Sequence, residues 1–346
     1  MRTSPPAARN AYTALLFDLY SLFGMYPWEP PLFDYEVVRT STEPFAMEGF
    51  GTCWRGVFLG KQEVIMKCSF ASVRDVDARR RAFLEMKVWQ DLRHPNVLPF
   101  IGLYIQGPKI YMTSPWMKEG DLIPYLRRNP HANRAAIILQ IAYGLLYLHT
   151  RGVIHGDLKG ANILVSDAGE PRLANFGLFH KDIQESGVVN SLAFQDGEYP
   201  RWQSPELLTA RDPERTTASD MFAFGRVIIE VYTEEVPFAN IHSHPTIMRM
   251  VMNGESPARP TDRKAIERGL DDHMWEIARD CSQREPYARL DIRAAISRLL
   301  TPPAPTPIPT PPPQPQPQRR PSAEPRRFFT LSNFSFPYRR RAASPS

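Results

Sequence analysis

The chain has 346 residues, 42% hydrophobic and 23% charged, which is enough apolar material for one large or two ordinary domains. Thirty-five prolines and a formal charge of +5 stand out, and the charge raises nucleic-acid or membrane-surface binding as classes to be tested against where it lies. Three widely separated cysteines, Cys53, Cys68 and Cys281, match no zinc spacing and argue against a secreted disulfide framework; no apolar run reaches the roughly eighteen residues of a spanning helix.

The first feature in chain order is the apolar stretch Ala11 to Tyr26, broken by Asp18 and without a small-residue cleavage site after it, so a signal peptide is not expected. It reads as a short amphipathic helix with Leu15, Leu16, Leu19 and Leu22 on one face, docking on the folded domain. Residues 35–70 alternate short β-like runs with glycines and end in the strand Glu63-Val-Ile-Met-Lys67. Residues 75–92 carry helical spacing at Phe83, Met86 and Trp89, and Lys109–Met112 is a further short strand. Helices then dominate, over Arg134–Thr150, Ser219–Thr233, Thr246–Asn253, Met274–Cys281 and Arg293–Leu300. A β-rich first third before a helical remainder predicts two lobes with a cleft between them.

Composition changes near Leu300. From Thr301 to Gln318 ten of eighteen residues are proline, which forbids helix and sheet interior and favours extended polyproline II. The rest of the tail is rich in Arg, Ser and Pro apart from the aromatic residues Phe328, Phe329, Phe334, Phe336 and Tyr338, and residues 301–346 read as disordered. That tail holds seven arginines and one glutamate, a net +6, so residues 1–300 carry +5 − 6 = −1. The basic character belongs to the appendage, and direct nucleic-acid or membrane binding by the domain is not expected.

The segment with the most chemistry is Ile154-His-Gly-Asp-Leu-Lys-Gly-Ala-Asn-Ile-Leu-Val165. It resembles the catalytic loop of the eukaryotic protein kinases, H-R-D-L-x-x-x-N. Companion motifs appear in the family's order: Lys67 ends a V-x-x-K strand, Glu85 lies in the next helix, and Asn175-Phe-Gly177 stands where D-F-G belongs. Further on, Ser204-Pro-Glu206 replaces A-P-E, Ser219 to Gly225 is similar to the helix that anchors the catalytic loop, and Arg289, in a late helix, is the expected partner of Glu206. The resemblance covers roughly residues 40–300, and details of the loop and hinge are most similar to the tyrosine-kinase-like group, particularly its expanded members in mushroom-forming fungi.

The resemblance implies an α+β, bilobal protein-kinase-like fold, with a small β-rich N-lobe over residues 35–117 and a larger helical C-lobe over 118–300, after an N-terminal extension, 1–34. It implies ATP and Mg²⁺ as cofactors and a protein substrate or signalling partner. Lys67, oriented by Glu85, would hold the α/β-phosphates; Asp157 would orient the substrate hydroxyl; Lys159 would neutralise the transferring phosphate; and Asn162 and Asn175 would stand at the metal. Gly49 and Gly51 would shape the phosphate loop, with Ser114 as gatekeeper and Trp116 and Met117 at the hinge of a roomy adenine pocket.

Four departures qualify that expectation. Asn175 replaces the aspartate that bridges metal and phosphates, and an amide offers Mg²⁺ one neutral oxygen in place of an anionic pair. In the phosphate loop only Gly51 matches G-x-G-x-x-G when aligned on the last glycine, and Glu48 falls at the second; a shifted loop using Gly49 and Gly51 is the alternative. Gly156 replaces the arginine that docks a phosphorylated activation loop, so little dependence on phosphorylation at Ser186, Ser191 or Tyr199 is expected. Ser204 for alanine is mild. Two readings therefore compete, a working but slowed kinase and a pseudokinase acting as a signalling scaffold. The proline tract offers P-x-x-P spacings, such as Pro309 to Pro312, for an SH3- or WW-type groove, and the arginine clusters fit nuclear import signals on an otherwise cytoplasmic protein.

Overall fold

The computed structural model describes residues 6–23, 31–48, 51–72, 86–107, 109–175, 199–211 and 213–301. The Pro/Arg-rich tail, Glu85, Gly49, Phe176-Gly177 and the segment with Ser186 and Ser191 lie outside the described residues.

The small lobe is a six-stranded antiparallel sheet built from β1 (Val37–Arg39), β2 (Ala46–Glu48), β3 (Gly51–Phe58), β4 (Gln62–Ser72), β5 (Gly102–Gln106) and β6 (Lys109–Pro115). Its order is β1-β3-β4-β6-β5, with β2 paired to β3. Leu59 and Gly60, both at positive φ, turn β3 into β4, and the register puts Cys53 opposite Lys67 and Lys67 opposite Met112. Lys67 was expected to end its strand, but β4 runs on to Ser72, because β6 continues to supply backbone partners beyond it. Trp54, Phe58, Val64, Met66, Ile101 and Tyr111 form an apolar layer on one side of the sheet.

The N-terminal helix, α1 (Pro6–Phe23), forms as expected but presents a different face. Leu16, Phe17 and Tyr20 pack against the small-lobe cluster, whereas Leu15, Leu19 and Leu22 are exposed. The aromatic groups decide the rotation: Tyr20 stacks on Phe58 with centroids 6.1 Å apart, and Lys61 lies over the Phe17 ring while bonding Asp18 at 3.1 Å. Two rings bury more apolar area than two leucines, so the Phe17–Tyr20 side faces inward.

The large lobe contains a three-stranded sheet, β7 (Gly120–Asp121), β8 (Ile163–Val165) and β9 (Pro171–Leu173), and helices α2 (Leu122–Arg128), α3 (Arg134–Thr150), α4 (Pro205–Thr209), α5 (Thr217–Thr233), α6 (His244–Met252), α7 (Arg263–Glu267), α8 (Asp272–Cys281) and α9 (Ile292–Leu300). Side-chain caps set most starts. Asn133, Asp271 and Asp291 each accept the backbone N–H three residues on, and Thr216 and Ser219 close a capping box at α5. All residues from Ser219 to Tyr232 are buried, so α5 is a pillar surrounded by the other helices rather than an amphipathic surface helix. The short α2, α4 and α7 carry too few residues for a periodic signal and owe their form to the packing around them.

Arg289 and Glu206 meet as expected, in a fork with both N–O distances at 2.7 Å. Arg289 does not lie in a helix, however; it comes just after the 3₁₀ turn Pro286–Ala288, where it also donates to the carbonyls of Gln283, Arg284 and Ala218. Burial, the largest single influence, would push the Glu206 carboxyl up, but the hydrogen bonds and charge of Arg289 together with hydrogen bonding to its own backbone hold it below its usual value.

Candidate active site

The loop from His155 to Asn162 hangs on the first turn of α5. Asp220, itself buried, accepts the backbone N–H of His155 and of Gly156 at 2.8 Å each, and its carboxylate also meets His149 Nε2 at 2.9 Å. Burial lowers the pKa of His155, which keeps the ring neutral and leaves Nδ1 able to accept the Asp157 N–H at 3.3 Å. Gly156 has φ +77°, a conformation costly for arginine, so the family's residue could not simply be restored in this backbone. A guanidinium nevertheless reaches the loop, since buried Arg215 donates from Nε to the Gly156 carbonyl at 3.0 Å. Nothing in the local sequence pointed to Arg215, which is 59 residues away.

From this anchored loop a row of polar groups crosses to the small lobe. Lys159 Nζ stands 3.2 Å from Asp157 Oδ2, and the Asn162 amide donates to the same carboxylate oxygen and to the Asp157 carbonyl, both at 2.6 Å. Asn175 Nδ2 donates to Asn162 Oδ1 at 3.0 Å, and Lys67 Nζ donates to Asn175 Oδ1 at 2.8 Å. Lys67, Asn175, Asn162, Asp157 and Lys159 thus form one continuous series, although Lys67 and Asn175 are 108 positions apart in the chain. The amide orientations follow from the partners: turning Asn175 around would set its NH₂ against an ammonium and its oxygen against another oxygen.

The hinge residues lie at the end of β6. Ser114 is fully buried, Met117 is buried, and the Trp116 backbone N–H donates to the Glu63 carbonyl at 3.0 Å. The Trp116 indole is held edge-on by Phe45, centroids 5.2 Å apart, and capped by the Arg55 guanidinium at 4.3 Å. That brace ties the connection between lobes to the start of β2 and to β3. Gly51 pairs with Glu48 in the β2–β3 register, so the strand preceding the phosphate loop is formed although Gly49 is outside the described residues. The expected Lys67–Glu85 pair also falls outside them.

These donors do not fit Mg²⁺ as an ordinary kinase site does. A hard cation of this size favours carboxylate oxygens, and the series offers two neutral amides that already bond each other. Its one carboxylate, Asp157, is engaged by Asn162 and Lys159. Among the described residues no group of three His, Cys, Asp or Glu side chains converges on a metal-sized position.

Sequence reasoning also missed Glu230. It lies in α5 beneath the loop, and its Oε2 accepts the Gly160 N–H at 3.0 Å and the Trp202 indole N–H at 2.9 Å. A Cβ on residue 160 would come within 2.7 Å of Glu230 Oε1, which is why that position is glycine. Burial pushes this carboxyl up to about 7, against the opposing pull of its hydrogen bonds and of Lys159. A carboxyl raised in the folded state favours folding below its unfolded value and loses that contribution as pH climbs through about 7. Thermal unfolding from pH 4.5 to 8 should therefore show wild type losing ground relative to Glu230→Gln as pH rises through that window; parallel curves would refute the assignment.

A small antiparallel sheet and a helical lobe that share this lysine-to-aspartate series are the bilobal kinase fold the sequence predicted. The chain belongs to the family described as protein tyrosine and serine/threonine kinase, which it matches over residues 42–299. Among curated proteins it is 30% identical over 219 residues to cytokinesis protein sepH of Emericella nidulans, covering 62% of this chain and 15% of that protein. It is 26% identical over 249 residues to serine/threonine-protein kinase STY46 of Arabidopsis thaliana, covering 71% and 42%. Cell division control protein 7 of Schizosaccharomyces pombe is 28% identical over 253 residues, covering 70% and 22%. The chain thus spans under half the length of each of these relatives. Protein kinases generally use ATP and Mg²⁺ and act on protein substrates. No helix among the described residues is long and apolar enough to cross a membrane.

Proposed function

We propose that this chain binds ATP between its lobes and transfers the γ-phosphoryl group, slowly, to a serine or threonine hydroxyl of a protein. The observation that carries this reading is the unbroken series from Lys67 to Lys159. Asp157 holds the substrate hydroxyl and takes its proton as the oxygen bonds to the γ-phosphorus; the bond to the β–γ bridging oxygen breaks and ADP leaves. Lys67 and Lys159 offset charge on the phosphates. Lysine two residues after Asp157, and the serine/threonine kinases among the relatives, support that hydroxyl class.

In a phosphate-transfer assay we expect low but measurable wild-type turnover that Lys67→Met abolishes. Equal turnover in the two proteins would sink the proposal. Asn175 favours a second reading, a pseudokinase scaffold that holds nucleotide without turning it over; ATP binding with no transfer by wild type at any enzyme concentration would select it. Membership of the tyrosine-kinase-like group belongs to this proposal, on the strength of the loop and hinge motifs. So do an extension over 1–34, a kinase domain over 35–300 and a tail over 301–346 that docks an SH3- or WW-type partner. Imaging of the chain with and without residues 301–346 tests the proposed cytoplasmic location with tail-directed nuclear entry.

A further inference from the structure

We infer that residues 237–255, α6 with the loop before it, form a gate that opens as a unit from the large lobe; buried Arg226 sets how readily it opens, and closing it orders the Tyr199–Arg201 turn beside the catalytic loop. The motion requires no nucleotide, so it can be measured whether or not the chain transfers phosphate. Phe222, Phe238, Ile247 and Val251 form an apolar cluster separate from the main core. Arg226, on α5, is 1% exposed, and its guanidinium lies over the rings of Phe222 at 4.8 Å and Phe238 at 5.3 Å. Its Nε and Nη1 have no hydrogen-bond partner among the described residues, and Nη2 makes one long contact, 3.4 Å, to the Glu255 carbonyl. The neighbouring carboxylates are committed or exposed. Glu230, one turn on in α5, accepts from Gly160 and Trp202; Glu206 holds Arg289, which shares the Phe222 ring; and Glu255 is exposed. Burial pulls Arg226 down to about 9, still high enough to keep it charged at neutral pH. A buried cation with unfilled donors disfavours the closed state, and the two rings offset only part of that.

The same segment carries backbone strain. Phe238 sits at φ +59°, a left-handed conformation that an aromatic residue rarely adopts, so opening relieves it along with the stranded guanidinium. What holds the segment shut also links it to the site. Arg201 donates to the carbonyls of Pro237, Phe238 and Ile241 at 2.7, 2.8 and 2.9 Å, and α6 packs against the Tyr199–Arg201 turn and α4. The next residue, Trp202, bonds Glu230 beneath the catalytic loop. Release of the segment therefore frees Arg201 and loosens the turn next to that loop. A small satellite cluster under one short helix, with these two penalties built in, belongs to the low-stability end of the fold.

The experiment is native-state hydrogen exchange of the full chain, read by mass spectrometry, for wild type, Arg226→Met and Glu255→Gln. Methionine removes the charge and keeps a long unbranched side chain. Peptides over α6 and over residues 199–206 are expected to exchange at least about tenfold more slowly in Arg226→Met, with α3 peptides within about twofold of wild type. Glu255→Gln should match wild type. Equal exchange in wild type and Arg226→Met, or slowing that α3 shares, overturns the inference. So does faster exchange in either variant, which would show that an acceptor satisfies the guanidinium in the closed state. Slowing confined to α6 overturns the coupling to the Tyr199–Arg201 turn. If Arg226→Met does not fold, wild type in rising urea decides: α6 amides should exchange together through an opening well below that of α3, and exchange of α6 only by global unfolding overturns the gate.

Discussion

Asn175→Asp should raise phosphate transfer by about 10²–10³, the range by which one preorganised electrostatic group changes turnover at other sites. The substitution changes one atom and keeps the shape, so the backbone at residue 175 and the contact to Lys67 at 2.8 Å should persist as an ion pair. What changes is the other half of the side chain. An oxygen then faces Asn162 Oδ1 across the 3.0 Å now spanned by a hydrogen bond, and the added carboxylate is the kind of donor a hard cation favours. Comparison of kcat and KM for the two proteins in Mg²⁺ reads the effect. A gain in kcat that Lys67→Met removes is the expected result, and an unchanged kcat would mean that the amide is not what limits turnover.

Glu234→Ala should destabilise the large lobe by about 3–5 kcal/mol, because it strands buried charge. Glu234 caps the C-terminal end of α5 in a left-handed conformation, φ +60°, and is buried there. Its two carboxylate oxygens bond Arg134 Nη2 and Arg268 Nη2, each at 2.6 Å, and its carbonyl accepts from Arg127. The Arg134 side chain is only 2% exposed, so water cannot replace the lost carboxylate. Thermal and urea unfolding measure the loss, and a drop of roughly 10 °C in Tm is expected for a domain of this size. Glu234→Gly separates the two contributions, since glycine removes the charge without the left-handed strain that alanine adds. If both variants unfold within about 1 kcal/mol of wild type, Arg134 and Arg268 are solvated in a way the burial does not indicate.

The fold was legible wherever local pattern and tertiary environment agree. The helix Arg134–Thr150 has the boundaries expected from its sequence, because an asparagine cap starts it and a glycine turn ends it. Its neighbours α5, α6, α8 and α9 start one or two residues early, where capping side chains rather than apolar spacing set the first turn. α1 shows the limit. Leucine spacing predicted a face, yet hydrophobicity of single residues says nothing about which partners exist, and Phe58 and Lys61 decided the rotation.

The site divides in the same way. Lys67, Asp157, Lys159, Asn162 and Asn175 were found from sequence, because the resemblance to the kinase motifs places them in that family's order along the chain. The sequence by itself therefore determined the class of protein, the replaced aspartate, and the separation of a nearly neutral domain from a basic tail. Only the tertiary structure decided what the replacement does. Two amides separated by thirteen positions bond each other, a glutamate from the last turn of α5 holds the loop from below, and Arg215 brings a guanidinium to a glycine that has no side chain. Such contacts depend on distance through space between residues far apart in the chain, and a one-dimensional pattern carries no record of that distance.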